Sequence, residues 1–252
     1  LVVGGWLPDF LRKHTNFVDR LRRIDGVYVQ SQRMLTELEK QGLSNVHYLS
    51  NFKDFAKGRG QANSQEGSLS LVFLSRIIPE KGVEHCIEAV RVLNKGVDEP
   101  LVRLELWGTV PSKYEAWFAA LLERRAPGVS YRGELQQESV IDQLGTYDAM
   151  LFPTWYEGEG FPGAVVDAYA AGIPVVASDW HDNAEFIAHL ETGVIFETGS
   201  VEQLVASVRL LLDQPELLQK LKLAAASEAA RYHVDAVIPP LFRQLGIDQK
   251  PG

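Results

Sequence analysis

The stretch SLVFLSRIIPEKGVEHCIEAV, residues 70–90, decides the fold class. It opens on a strand that is apolar on both faces, turns through Ser75-Arg76-Ile77-Ile78-Pro79-Glu80-Lys81-Gly82, and runs directly into a helical pattern from Val83. AMLF at 149–152 and PVVAS at 174–178 have the same texture. A strand with no polar face must be covered on both sides, as in a parallel sheet flanked by helices. Working outward, strands are expected at 69–74, 102–107, 129–131, 149–152, 175–178 and 194–196, with helical patterns over 83–95, 113–125, 163–171 and 201–212 between them. This is an α/β chain, a doubly wound parallel sheet of Rossmann-like type. Pro215 opens a further helix, and 236–245 reads as a last one interrupted by Pro239-Pro240.

Towards the N-terminus the alternation is shorter. A strand at 1–3, a Gly4-Gly5 turn, a helix over 7–23 and a strand at 27–30 precede Ser31, which caps a helix ending before Gly42; a strand follows at 46–49. KDFAKGRGQANSQEGS, 53–68, contains no Val, Ile or Leu and reads as a linker or exposed loop. The expected organisation is therefore a partial second lobe over 1–52, the linker over 53–68, the main domain over 69–230, and a helix and tail over 231–252.

The chain has 252 residues, 46% of them hydrophobic, which is ample for a buried core. Cys86 is its single cysteine, so no internal disulfide forms and a reducing, cytoplasmic setting is expected. The formal net charge of −8 argues against a broad nucleic-acid surface. The charge is uneven: residues 1–60 hold ten Lys/Arg against six Asp/Glu, and the remainder holds fifteen against twenty-seven. No apolar run is long enough to span a bilayer, and LVVGGWLPDF has neither the basic head nor the cleavage site of a signal peptide.

In open parallel sheets ligands bind beyond the carboxyl ends of the strands. After the strand at 69–74, Arg76 and Lys81 stand at a helix entrance, where two cations are disfavoured unless an anion joins them. Phosphate binding is one reading, and solvated loop charges balanced by Glu80 and Glu84 are the other. After the strand at 149–152, the loop PTWYEGEGFPG places Glu159 ahead of a helix carrying Asp167. These carboxylates suit sugar hydroxyls, with backbone amides near Gly160 and Gly163 left for phosphate oxygens. Each carboxylate taken alone is also an ordinary solvated residue. Gly158, Gly160 and Gly163, with Asp179 after the next strand, formally match a dinucleotide fingerprint. Against that match, three strands of the domain come earlier, and Glu159 would face the pyrophosphate. Trp155, Tyr156 and Trp180 flank these loops as candidates for stacking or for packing. No Asp-x-Asp, His-x3-His or Gly-x-Ser-x-Gly occurs, so metal-independent binding is expected and the commonest hydrolase signature is missing.

FLSRIIPEKGVEHCIEAV (73–90), PTWYEGEGFPGAVVDAYAAGIPVVASD (153–179) and NAEFI (183–187) together resemble the GT-B glycosyltransferases of family 4, the retaining nucleotide-sugar enzymes of bacterial polysaccharide and glycolipid synthesis. The resemblance covers about 69–230. It implies that Arg76 and Lys81 hold the donor diphosphate, that Glu159 contacts the transferred sugar, and that Asp167 contacts the ribose. Gly160, Phe161 and Gly163 would approach the phosphates, and Gly108, Gly133 and Leu135 would line the base pocket. The family's Glu-x7-Glu is Glu159 and Asp167 here, one methylene shorter, and its Gly-Phe-Gly is Gly160-Phe161-Pro162, where proline removes a donor. No resident cofactor is implied. The donor would be a UDP-, GDP- or ADP-sugar, and the acceptor a saccharide or a lipid-linked saccharide. Residues 1–50 resemble the end of the acceptor-side lobe, with Ser50-Asn51 at the crossing. Peripheral membrane contact through the basic first lobe and self-association through 1–49 are further expectations, as is donor binding with little transfer by the chain as given. A non-catalytic nucleotide-sugar-binding fragment and an NAD-dependent oxidoreductase remain alternatives.

Overall fold

The computed structural model describes residues 1–55 and 68–247. Most of the expected linker, and the end of the C-terminal tail, lie outside the described residues.

The first sheet has three parallel strands in the order β1 (Val2–Val3), β2 (Val27–Val29), β3 (Val46–Tyr48). Its core gathers Leu7, Leu11, Val18, Met34 and Leu38 on the buried β2. The expected helix over 7–23 is broken into α1 (Leu7–Lys13), a single 3-10 turn at Thr15–Phe17, and α2 (Val18–Leu21). Thr15 and Asn16 are weak helix formers. His14 leaves the helix at φ −134°, and the chain folds so that Phe10 and Phe17 meet edge to face at 5.2 Å. α3 (Gln32–Lys40) begins as expected: Ser31 is extended, and its Oγ accepts from the Met34 N–H at 3.1 Å.

The second sheet has six parallel strands: β4 (Leu69–Leu74), β5 (Val102–Trp107), β6 (Val129–Gly133), β7 (Ala149–Phe152), β8 (Val175–Ser178) and β9 (Gly193–Phe196). Their order is β6-β5-β4-β7-β8-β9, so the winding reverses between β4 and β7. Helices α4 (Val83–Leu93), α5 (Glu115–Glu123), α6 (Val140–Leu144), α7 (Gly163–Ala170), α8 (Asn183–Phe186), α9 (Val201–Asp213), α10 (Pro215–Glu228) and α11 (Val234–Gln244) complete the described chain. Every residue of β7 and β8 is buried, as their two-sided apolar runs require. Successive side chains point to opposite faces. Leu71, Phe73 and Leu151 enter the layer shared with α4 and α9, while Val72, Met150 and Phe152 enter the layer shared with α7.

Two details depart from expectation. Prolines 239 and 240 do not interrupt the last helix, which runs through them. None of its residues is buried, so carbonyls left without an N–H partner can face water. At the start of the expected linker, Lys53 donates its N–H to the Tyr232 carbonyl at 3.0 Å, and Val234 donates to the Lys53 carbonyl at 3.0 Å. Lys53 is therefore held against the segment leading into α11.

Candidate functional site

The loops after β4 and β7 flank the reversal in strand order, the place where α/β sheets open a crevice. Buried Ile77 and Ile78 anchor the first loop, which closes in a 3-10 turn at Pro79–Lys81. Gly82 then takes φ +77°, and a Cβ there would lie 2.2 Å from the Pro153 carbonyl oxygen. Only glycine permits so close an approach. Trp155 donates its N–H to the Glu80 carbonyl at 2.8 Å, so the two loops form one body.

Within it, Lys81 and Glu159 make an ion pair whose side chains are only 8% and 10% exposed. Thr154 Oγ1 donates to the same Glu159 oxygen at 2.9 Å. Lys81 Nζ lies 4.9 Å from the Tyr156 ring centre, and the exposed Arg76 guanidinium lies 5.3 Å from that ring. Tyr156 thus offers its electron-rich ring to both cations. Ser178 Oγ donates to the Thr154 carbonyl at 2.6 Å, and Trp180 Nε1 donates to the Tyr156 carbonyl at 3.0 Å, fastening the loop after β8 to the same body. Trp155 packs on His85 at 4.8 Å.

The other sequence candidates divide. Gly108, at φ +144°, places its backbone against Ser75, where a Cβ would meet the carbonyl oxygen at 1.7 Å; its N–H donates to the Gly133 carbonyl at 2.8 Å. Gly133 is itself at φ +84°. Gly108 lets the end of β5 draw up to the Arg76 loop, while Gly133 faces open space and owes its glycine to the positive φ. Leu135 is partly buried against the α7 layer. Phe161 is 4% exposed and its ring stacks on Phe186 at 3.9 Å, so the side chain anchors the loop in the core. Gly163 is the first residue of α7. Asp167 is buried one turn further on and pairs with Lys53 rather than with the Lys81 cluster. Burial raises its pKa above the usual aspartate value, and the Lys53 contact pulls the other way. It lines a groove of about 720 Å³ with Phe52, Lys53, Gln137, Glu138 and Ile141.

Sequence reasoning missed the contacts between the lobes. A Cβ on Gly5 would lie 1.9 Å from the Glu159 carbonyl oxygen, so the Gly4-Gly5 turn sits directly on the Glu159-Gly160 backbone. Gly-Gly was the available signal, although nothing local named its partner. Arg33 pairs with Asp182, whose side chain is 1% exposed. The Glu185 carboxylate accepts from the Gln32 and Arg33 N–H groups at 2.7 and 3.0 Å, capping α3 from the other lobe. Asn51 Nδ2 donates to the Phe161 carbonyl at 3.0 Å. Among the described residues, no three or more His, Cys, Asp or Glu side chains gather where they could hold a metal ion. No helix among them is long and apolar enough to cross a membrane.

A parallel sheet of this order, reversing between the loops that carry the Lys81–Glu159 pair, defines a Rossmann-like α/β domain. Residues 54–228 match the family described as glycosyl transferases group 1, and the chain belongs to that family. Among curated relatives, glycogen synthase of Mycobacterium tuberculosis is 28% identical over 228 residues, covering 88% of this chain and 54% of the relative. The N,N'-diacetylbacillosaminyl-diphospho-undecaprenol alpha-1,3-N-acetylgalactosaminyltransferase of Campylobacter jejuni is 27% identical over 163 residues, 64% of this chain and 40% of that protein. The chain spans about half the length of the curated relatives it matches. In fold it is similar to Anabaena Alr3699/HepE, solved in complex with UDP and glucose, with a TM-score of 0.78 at 18% identity over 95% of this chain and 67% of that one. S. aureus TarM, solved with UDP among its ligands, gives a TM-score of 0.75 at 18% identity over 92% of this chain and 46% of that one. The fold is GT-B.

Proposed function

We propose that this chain is the donor-binding part of a retaining family 4 glycosyltransferase that transfers a sugar from a nucleoside diphosphate to a saccharide or lipid-linked acceptor in bacterial glycan synthesis. The observation that carries the reading is the buried Lys81–Glu159 pair beside Arg76 at the strand-order reversal. A sugar diphosphate presents adjacent anionic and hydroxyl-rich parts, and this cluster presents the complements of both. Arg76 and Lys81 hold the diphosphate and stabilise the negative charge that develops as the nucleoside diphosphate departs. Glu159 takes hydroxyls of the sugar, Asp167 takes the ribose, and backbone groups from Gly160 to Gly163 contact the phosphates. Gly108, Gly133 and Leu135 border the base. The acceptor hydroxyl attacks from the face the leaving group vacates. The site needs no metal in this reading, since two cations supply the positive charge. We assign 69–230 as the donor domain and 1–52 as part of the acceptor-side lobe.

The nicotinamide alternative is weaker. Asp179, the acid it needs for a ribose, accepts from the Thr198 N–H at 2.8 Å and the Thr198 hydroxyl at 2.6 Å. Binding is tested first. Arg76→Ala is expected to weaken nucleoside diphosphate binding roughly tenfold to a hundredfold while leaving the nucleoside nearly unchanged, as for a lost charge-assisted phosphate contact. Equal losses for the two ligands in calorimetry refute the phosphate assignment.

A further inference from the structure

The donor-site reading leaves Lys53 without a role. This residue lies in the segment that joins the two lobes, and its ammonium meets Asp167 on α7, 114 positions away. Three hydrogen bonds hold the segment: the Lys53 N–H donates to the Tyr232 carbonyl at 3.0 Å, the Lys53 carbonyl accepts from Val234 at 3.0 Å, and Asn51 Nδ2 donates to the Phe161 carbonyl at 3.0 Å. The long side chain therefore starts from a fixed backbone. The Lys53 side chain is 29% exposed and that of Asp167 is 8% exposed, so the ammonium is the member of the pair presented outward. Both residues line the groove of about 720 Å³, and a molecule that enters it to reach Asp167 meets Lys53.

The charges around the pair specify what it can recognise. Among the described residues lining the groove, the carboxylates of Asp54, Glu138, Asp142 and Asp167 face the ammonium of Lys53 alone. That majority repels a phosphate, for which Arg76 and Lys81 stand elsewhere, but it accepts an uncharged polyol. An ammonium has three N–H donors. One goes to Asp167 Oδ1, and those that remain suit the oxygens of adjacent hydroxyls, whose protons the neighbouring carboxylate can accept. Asp167 follows Gly163, the first residue of α7, by about 6 Å along the helix axis at a rise of about 1.5 Å per residue. That spacing is of the order that separates a nucleotide's phosphate from its ribose hydroxyls. A nucleotide with its phosphates at the start of α7 thus brings its ribose to the pair.

We infer that Lys53 is a specificity-determining residue that, paired with Asp167, hydrogen-bonds the adjacent ribose hydroxyls of the donor nucleotide. The inference rests on the donor-site reading above, which gives the ribose to Asp167 alone. Calorimetry on the chain with UDP, GDP and ADP, and with their 2′-deoxy and 3′-deoxy analogues, tests it. The unsubstituted chain is expected to bind its preferred ribonucleotide at least about tenfold more tightly than one of the two deoxy analogues, as for a lost hydrogen bond to a charged group. Lys53→Met should shrink that ratio at least about threefold, and Lys53→Arg, which keeps the charge and the donors, should retain most of it. A purely structural role for the pair weakens ribo and deoxy forms alike and leaves the ratio where it was. If Lys53→Met does not fold, Lys53→Gln, which can still donate to Asp167, takes its place at the same threshold. A smaller reduction in the folded variant overturns the inference, and so does equal binding of ribo and deoxy forms by the unsubstituted chain. A ratio lowered by Asp167→Asn but not by the Lys53 variant returns the ribose to Asp167 alone, leaving the donor site intact. If the unsubstituted chain binds no nucleoside diphosphate, the donor-site reading falls and the inference with it.

Discussion

Lys81→Met removes a charge from a place where its partner cannot easily do without it. Methionine keeps an unbranched side chain of similar length, so lost packing contributes little, while the Lys81 Nζ that lies over the Phe152 and Tyr156 rings is removed. What changes is the electrostatics. The Glu159 side chain is 10% exposed, and after the substitution its remaining described partner is the Thr154 hydroxyl at 2.9 Å. Removing one member of a buried ion pair costs about 3 to 5 kcal/mol, because the other charge stays behind desolvated. The retained Thr154 bond places the expected loss near the lower end, about 3 kcal/mol. For a domain of this size that corresponds to a fall in Tm of roughly 6 to 12 °C. Glu159→Gln in the same chain removes the stranded charge and keeps a group able to accept from Thr154, so the double variant should recover at least half of the loss. Urea unfolding of the single and double variants measures both numbers. A loss below about 1 kcal/mol for Lys81→Met, or a double variant no more stable than the single, would refute the claim that the pair is buried and mutually dependent.

Three further outcomes are expected. Gly5→Ala should destabilise the chain by about 1 to 3 kcal/mol by thermal unfolding, since its Cβ would lie 1.9 Å from the Glu159 carbonyl oxygen, whereas Gly4→Ala, which meets only the Trp6 ring at 3.4 Å, should be close to neutral. Arg33→Ala strands the buried Asp182 and should cost about 3 kcal/mol, while Arg12→Ala, at an exposed pair, should cost less than about 1 kcal/mol; matching losses in urea unfolding would show that the contact between the lobes is no more than a surface ion pair. Asp167 has a folded-state pKa above its ordinary 3.8, so the native state binds the proton more tightly than the unfolded chain and stability falls as pH rises through the interval from 3.8 to the folded value. Asp167→Asn should flatten that part of the stability profile, and an unchanged slope in unfolding experiments at stepped pH would remove the burial argument.

The sheet was legible because its signal is local. AMLF and PVVAS have no polar face, and the strands they form are buried throughout. Ser31 could be read as a cap because capping needs only three residues. Elsewhere tertiary packing outweighed local pattern: the apolar spacing over 7–23 suited one helix, yet Thr15 and Asn16 yielded to the Phe10–Phe17 contact. Proline content suggested a break in α11, but an exposed helix tolerates unpaired carbonyls. At the site, Arg76, Lys81, Glu159 and Asp167 were recognisable by residue type and motif. Their pairings were not, since Lys81 meets Glu159 across 78 positions and Asp167 meets Lys53 across 114. Phe161 belonged to a recognised motif, while its ring serves the core. Gly5 lay in a recognisable Gly4-Gly5 turn, but nothing local named the Glu159 backbone as its partner.

Calorimetric titration of the chain with UDP, GDP, ADP and NAD, each in the presence of EDTA, tests the donor-site claim most directly. Saturable binding of at least one nucleoside diphosphate and no binding of NAD are expected. Binding of NAD alone, or of none of the four, would contradict it.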